Sequence, residues 1–112
     1  SPLCRGMLSG KYLNGARPEG ARLTIETRLE HRILPVTDAA IRKYVELAKR
    51  HELDTCQMAL SFVNNKPFVS STLIGATNMT QLKSNIDAIS LTLPIELNEE
   101  IEKIRREYPM PL

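Results

Sequence analysis

The sequence predicts a helix-rich member of the α/β fold class, and three observations support this prediction. Apolar residues recur at helical spacing in four segments of the chain. A single short strand is predicted at Val69–Ile74, and it runs directly into Gly75 and a capped helix. One strand cannot pair its own backbone groups, so it needs partners that this chain does not supply. We therefore expect residues 1–112 to form one unit of a larger α/β domain.

Composition limits the classes of function that the chain can have. Its 112 residues, 42% hydrophobic and 25% charged, suffice for one small globular core. The net charge is only +2 and the basic residues are scattered along the chain, which argues against a nucleic-acid or membrane surface. Cys4 and Cys56 form neither a disulfide framework nor a metal-ligand spacing, and no signal peptide or long apolar run is present. These features favour a reducing compartment, and we expect the cytoplasm.

The first third of the chain is predicted to be a long loop. Residues 4–37 show no sustained period, and glycines and prolines interrupt them. A loop of this length in a compact domain is either functional or disordered. A short helix is predicted within Arg22–Arg32. Ser1-Pro2-Leu3 resembles the end of an element rather than its beginning, so we expect a longer parent protein.

Two helices follow the loop in close succession. The first is predicted from Asp38 to His51, with Thr37 or Asp38 as its N-cap. The second is predicted at Thr55–Asn64. Asp54 stands three residues before Gln57, which is the spacing of a capping box.

The strand, Gly75 and the next helix outline an anion site. That helix is predicted at Met79–Ile89, with Asn78 as its N-cap, and a last helix is predicted at Asn98–Tyr108. A glycine after a strand lets the backbone approach a ligand, and a helix N-terminus offers free N–H groups. A nucleotide phosphate is the commonest occupant of such a site, although a glycine at this turn can also have a steric role alone.

Three segments together resemble the aldo-keto reductase family, in the branch of the Tas-type oxidoreductases and the potassium-channel β-subunits. They are residues 1–12 (SPLCRGMLSGKY), 57–63 (QMALSFV) and 73–85 (LIGATNMTQLKSN). The resemblance covers essentially the whole chain. It implies the C-terminal portion of a (β/α)8 TIM barrel, with Ser1–Leu3 ending strand seven and Val69–Ile74 forming strand eight. In such barrels the phosphate site lies in the loops after strands seven and eight.

The resemblance also implies a cofactor, NADP(H), with NAD(H) not excluded. The turn at the chain start would follow the pyrophosphate, the basic side chains would bind phosphates, and the loop after strand eight would hold the ribose phosphate and the adenine. The implied cofactor-binding residues are Ser1, Pro2, Leu3, Cys4, Arg5, Lys11, Arg22, Gly75, Thr77, Gln81 and Asn85. Ser84 departs from the glutamate that the family usually has near the adenine. Gln81 replaces a basic residue of some relatives, which leaves the choice of dinucleotide open.

The family's catalytic Asp, Tyr, Lys and His motifs are missing from this sequence. We therefore predict no catalytic residues and no metal site, and we expect the chain alone not to reduce carbonyls. The parent would act on a small carbonyl substrate. We also expect self-association, because faces that meet the first strands of a barrel would be exposed. Two other readings are a helical interaction module without cofactor and an inactive oligomerising fragment.

Overall fold

Helices dominate the computed structural model, which describes residues 1–110 and all of their side chains except those of Leu29 and Arg32. Within that range the chain forms five α-helices: α1 (Arg22–Ile25), α2 (Pro35–Arg50), α3 (Thr55–Asn64), α4 (Met79–Asp87) and α5 (Ile95–Glu107). Short 3-10 turns lie at Cys4–Ser9, Leu13–Gly15, Thr27–Arg32 and Ala88–Ser90. The four predicted helices are thus confirmed. The short helix predicted within Arg22–Arg32 is found as α1 and the 3-10 turn after it.

Two helix starts follow the local capping chemistry that the sequence predicts. The Asp54 Oδ1 atom accepts the backbone N–H of Gln57 at 2.9 Å, and α3 has the predicted bounds. The Asn78 Oδ1 atom accepts the N–H of Gln81 at 2.9 Å and starts α4. Each side chain satisfies one of the orphan donors of a helix N-terminus.

Two other helices begin three residues earlier than predicted. Pro35 is the first residue of α2, where its fixed φ suits a helix and its missing N–H costs nothing. Thr37 lies inside the first turn, and its hydroxyl accepts the N–H of Leu34 at 3.2 Å. Asn98 likewise lies inside α5, where its Nδ2 atom donates to the carbonyl of Pro94 at 3.2 Å. Thr37 is therefore a capping group that acts from within its helix, whereas the Asn98 side chain binds carbonyls and caps no N–H group.

The predicted strand Val69–Ile74 is not confirmed. No strand is assigned anywhere in residues 1–110, and residues 71–76 have no regular secondary structure. The physical reason is the missing partner, because a strand exists only through the hydrogen bonds of a neighbouring strand. Leu73 and Ile74 are consequently left exposed. The described chain is therefore helical, while a TIM barrel is what the resemblance implies.

Two hydrophobic clusters hold the helices and the long loop. The helical core joins α2, α3 and the segment that contains α5; its buried members are Leu47, Ala48, Met58, Leu93, Leu97, Ile101 and Ile104. The loop core lies between the first residues and α2; its buried members are Met7, Tyr12, Ala21, Leu23 and Ile41. The Tyr12 hydroxyl accepts the N–H of Leu23 at 3.3 Å. The long loop is thus ordered by a small core of its own.

Ion pairs fasten α5 to the neighbouring helices. Glu107 pairs with Lys43 of α2, and Glu100 pairs with Arg50 at the end of the same helix at 2.7 Å. Glu102 accepts from Lys66, just beyond α3, at 3.3 Å. The helical core already holds α5 in place, and these ion pairs help to orient it. No helix within residues 1–110 is long and apolar enough to cross a membrane.

Candidate functional site

The first residues form a tight turn with an unusual backbone. Cys4, Arg5 and Gly6 all have φ in the left-handed region, at 47°, 58° and 88°. The turn is closed by hydrogen bonds from the Cys4 N–H to the Ser1 carbonyl at 3.1 Å and from the Gly6 N–H to the Leu3 carbonyl at 2.9 Å. The reversal leaves the Arg5 side chain exposed, and no acidic partner for it lies within the described residues. Ser1–Arg5, which were predicted to bind the cofactor, therefore lie on one turn with the exposed Arg5 side chain.

Lys11 lies against the same turn. A Cβ placed on Gly6 would stand 3.3 Å from the Lys11 Cε atom and 3.4 Å from Nζ. Gly6 is therefore needed both for its positive φ and for the room that it leaves to the lysine stem. The Lys11 Nζ atom also lies 5.2 Å from the Tyr12 ring centroid. It has no acidic partner in the part of the chain that the structure describes. We name this arrangement of Ser1–Lys11 the cationic turn.

The predicted residues of the second loop form two hydrogen-bonded pairs, Thr77 with Gln81 and Gly75 with Asn85. The Gln81 Oε1 atom accepts from the Thr77 N–H at 2.9 Å and from the Thr77 hydroxyl at 3.1 Å. The Asn85 Nδ2 atom donates to the Gly75 carbonyl at 3.3 Å, and Asn85 is buried. We name this hydrogen-bonded group the Gly75 loop.

Gly75 itself has no structural need to be a glycine in this fold. Its φ is not in the left-handed region, and an added Cβ would meet nothing within 4 Å. The open space therefore lies directly over the backbone of the loop.

Arg22 differs from the other predicted cations. It is the first residue of α1, and its Nε atom lies 3.8 Å from a carboxylate oxygen of Glu26. The helix adjoins the cationic turn, because α1 packs against the 3-10 turn Cys4–Ser9. The structure thus places Arg22 on the neighbouring element but gives it an acidic partner of its own.

Helix α3 supports both parts of the site. The 3-10 turn Cys4–Ser9 and helix α4 both pack against it. Burial, with a smaller effect of the Asp54 carboxylate, raises the pKa of the Cys56 thiol to about 11, while the Lys11 ammonium opposes this rise. The lysine therefore lies within electrostatic range of the first turn of α3. From that same turn the Gln57 Nε2 atom donates to the Ser84 carbonyl of α4 at 3.0 Å.

Gly6 and Gln57 are site-building residues that sequence reasoning did not single out. For Gly6 the available signal was its place in a glycine-rich turn between two basic residues. For Gln57 the sequence offered only the spacing to its cap, Asp54, and no sign of the contact with Ser84. Within residues 1–110 no group of three or more His, Cys, Asp or Glu side chains could hold a metal ion.

Comparison with known proteins identifies the family. The model of the Aldo/keto reductase family matches residues 1–106. The chain is 49% identical over 106 residues to "Protein tas" of Escherichia coli (strain K12), covering 95% of the chain and 31% of that protein. It is 33% identical to the "Probable voltage-gated potassium channel subunit beta" of Arabidopsis thaliana, over 97% of the chain and 35% of that protein.

A further relative has an enzyme's name. The "L-glyceraldehyde 3-phosphate reductase" of Escherichia coli O157:H7 is 35% identical over 109 residues, which cover 92% of the chain and 31% of that protein. The chain thus spans about a third of the length of these curated relatives. The family match nevertheless extends over nearly all of its residues, and the chain therefore belongs to the aldo/keto reductase family.

Proposed function

We propose that this chain forms the phosphate- and adenine-binding part of an NADP(H) site in an aldo-keto reductase. The observation that carries the proposal is the packing of two elements against one helix, α3: the 3-10 turn Cys4–Ser9 of the cationic turn, and α4, which carries Gln81 and Asn85 of the Gly75 loop. The catalytic residues of the parent enzyme would lie outside residues 1–112. The parent would be a (β/α)8 barrel of the oxidoreductase class.

The cationic turn fits a pyrophosphate. Arg5 and Lys11 have no acidic partner among the described residues, so their charges are available to an anion. Ser1, Pro2, Leu3 and Cys4 would follow the pyrophosphate with their backbone. Charged hydrogen bonds to phosphate oxygens are among the strongest that a protein makes. Arg22 would contribute less, because Glu26 already partly compensates its charge.

The Gly75 loop suits the other end of the dinucleotide. Gly75 and Thr77 would border the ribose phosphate in the open space over the glycine. Gln81 and Asn85 would lie along α4 toward the adenine. Their existing hydrogen bonds to Thr77 and to the Gly75 carbonyl hold the loop in shape, which lowers the entropic cost of binding.

The chemistry of the parent would be hydride transfer. A bound nicotinamide supplies or accepts a hydride at the carbon of a small carbonyl or alcohol substrate. The relative named L-glyceraldehyde 3-phosphate reductase supports a carbonyl substrate for the parent. A cytoplasmic location, where NADP(H) is supplied, belongs to the same proposal.

A second candidate function is protein interaction, and a specific surface favours it. A groove of about 420 Å³ opens between α2, α3, α5 and the chain start, and its lining includes Leu8, Tyr44 and Phe62. Leu73, Met79 and Ile89 are exposed apolar side chains on and around α4. Such surfaces are typical of interfaces. We therefore expect the isolated chain to self-associate, and a monomeric mass at micromolar concentration by light scattering would contradict this.

The cofactor proposal is tested by titrating the 112-residue chain with NADPH and NADH, followed by fluorescence. We expect NADPH to bind, and Lys11→Gln or Arg5→Gln to weaken binding about tenfold each, because each removes a charged phosphate contact. The matched control is Lys103→Gln, which removes the same charge from an exposed position on α5.

Two results would contradict the proposal. One is an absence of NADPH binding by a chain whose circular dichroism shows intact helices. The other is an equal effect of Lys11→Gln and Lys103→Gln. Carbonyl reduction by the purified chain alone would contradict the separate expectation that the catalytic residues lie elsewhere.

A further inference from the structure

We propose that Gln57 is a positioning residue that sets the distance between the cationic turn and the Gly75 loop. The inference rests on the proposed cofactor function, since it concerns the two loops that would hold one dinucleotide. No hydrogen bond within the described residues joins Gln57 to Arg5 or to Lys11. Its effect would act through α4.

The contact that carries the inference joins two helices. The Gln57 Nε2 atom donates to the Ser84 carbonyl at 3.0 Å, across 27 residues of sequence. It is the one hydrogen bond between α3 and α4 within residues 1–110. The Ser84 carbonyl also accepts the N–H of Ala88, so it lies in the last turn of α4, where carbonyls begin to lack helical partners. Gln57 thus fixes the end of α4 that carries Asn85.

The connection from Gln57 continues beyond Ser84 to the Gly75 loop. Asn85, the next residue, is 7% exposed, and its Nδ2 atom donates to the Gly75 carbonyl. A shift of the C-terminal end of α4 would therefore move Asn85 and pull on Gly75. Two hydrogen bonds and one peptide unit connect Gln57 to the backbone over which the ligand would lie.

The backbone of Gln57 is also held by a hydrogen bond. Its own N–H is bound by the Asp54 cap at 2.9 Å, which fixes the first turn of α3. Cys56, its neighbour, is close enough to Lys11 for the lysine charge to act on its thiol. The first turn of α3 therefore has a hydrogen bond to α4, and α3 itself packs against the 3-10 turn Cys4–Ser9 of the cationic turn. A binding site built on a rigid element keeps its geometry better than one built on loops alone.

The expected consequence is selective for ligands that span both halves. Gln57→Met keeps the length of the side chain but removes the donor, and Gln57→Glu places an anionic oxygen against the Ser84 carbonyl. We expect the NADPH dissociation constant to rise roughly three- to tenfold in Gln57→Met, in line with the loss of one hydrogen bond. The rise should be larger in Gln57→Glu. Inorganic pyrophosphate would engage only the cationic turn, and its affinity should not change in Gln57→Met.

The experiment compares calorimetric titrations of the full 112-residue chain with NADPH and with pyrophosphate. The matched control is Asn98→Leu, which also removes an amide that donates to backbone carbonyls, but on α5. A selective loss of NADPH affinity in Gln57→Met, absent from Asn98→Leu, supports the inference. Unchanged NADPH affinity in Gln57→Met, or an equal loss for both ligands, overturns it while the cofactor function stands. If the wild-type chain binds no NADPH, the proposed function and this inference both fail.

Discussion

Two serine hydroxyls of this chain make hydrogen bonds of nearly equal length in very different surroundings. The Ser61 hydroxyl donates to the Leu91 carbonyl at 2.6 Å, and the Ser9 hydroxyl donates to the Gly6 carbonyl at 2.7 Å. Ser61 is 1% exposed and joins α3 to a segment 30 residues away. Ser9 is exposed, and its bond spans three residues. Replacing each serine by alanine therefore isolates the effect of burial.

The expected magnitudes follow from what each substitution leaves behind. Ser61→Ala removes the donor to the Leu91 carbonyl and also the acceptor of the Asn65 amide, which lies at 3.1 Å. A partner left unsatisfied in a buried site costs about 1–3 kcal/mol. Ser9→Ala leaves both partners of its hydroxyl, the Gly6 carbonyl and the Lys11 N–H, open to water, so the change should stay within about 0.5 kcal/mol. With an unfolding entropy of about 2.1 cal/mol/K per residue over a chain of this length, Ser61→Ala should lower Tm by roughly 4–13 °C, and Ser9→Ala by about 2 °C at most.

The measurement is thermal unfolding by circular dichroism at one fixed protein concentration, because self-association would make Tm depend on concentration. Urea unfolding gives the free energies independently, provided that the m values of the two variants agree. Equal Tm shifts in the two variants would refute the reasoning. That result would mean that water reaches the Leu91 carbonyl as easily as it reaches the Gly6 carbonyl.

Three further predictions concern the caps and the titrating groups. Asp54→Ala should lower the free energy of unfolding in urea by about 1 kcal/mol, while Asp54→Asn should keep most of it, since the amide oxygen can still cap α3. Hydrogen bonds, first from Arg50 and then from His51, lower the pKa of the Glu100 carboxyl. The Arg50–Glu100 pair therefore stabilises the folded chain at pH values above the ordinary pKa of the carboxyl. This stabilisation is lost as the pH falls through the lowered pKa. NMR titration of Arg50→Gln should show that the Glu100 pKa rises. Burial raises the pKa of the Cys56 thiol to about 11 from an ordinary 9.0. In a Cys4→Ser background, alkylation of Cys56 at pH 8 should therefore be roughly 100-fold slower in the folded chain than in denaturant. Equal rates would contradict this.

The helix caps were predictable because their chemistry is local. Asp54 and Asn78 each bond to a backbone N–H three residues away, and the sequence contains both partners. The starts of α2 and α5 were placed too late for a related reason. Thr37 and Asn98 are capping residues by type, but Pro35 and Pro94 allow the helix to begin before them, so each bonds backward from within its first turn.

Features that depend on distant residues were not predictable. The strand at Val69–Ile74 was expected from its local pattern, but a strand also requires a partner, and the described chain gives it none. The loop core depends on Tyr12 meeting Leu23, a contact without any periodic signature. For the same reason the sequence predicted the bounds of α3 but not the contact of its Gln57 with Ser84, 27 residues away.

Helix α3 links the stability of the chain to its proposed function. Its Met58 lies in the helical core, its Ser61 holds the segment before α5, and its Gln57 holds α4. A substitution that lets α3 rotate or shift would therefore change the spacing of the cationic turn and the Gly75 loop even without touching either. Core variants such as Met58→Ala should thus lose affinity for a spanning dinucleotide before they lose helical structure, since binding depends on distances that helix formation does not require.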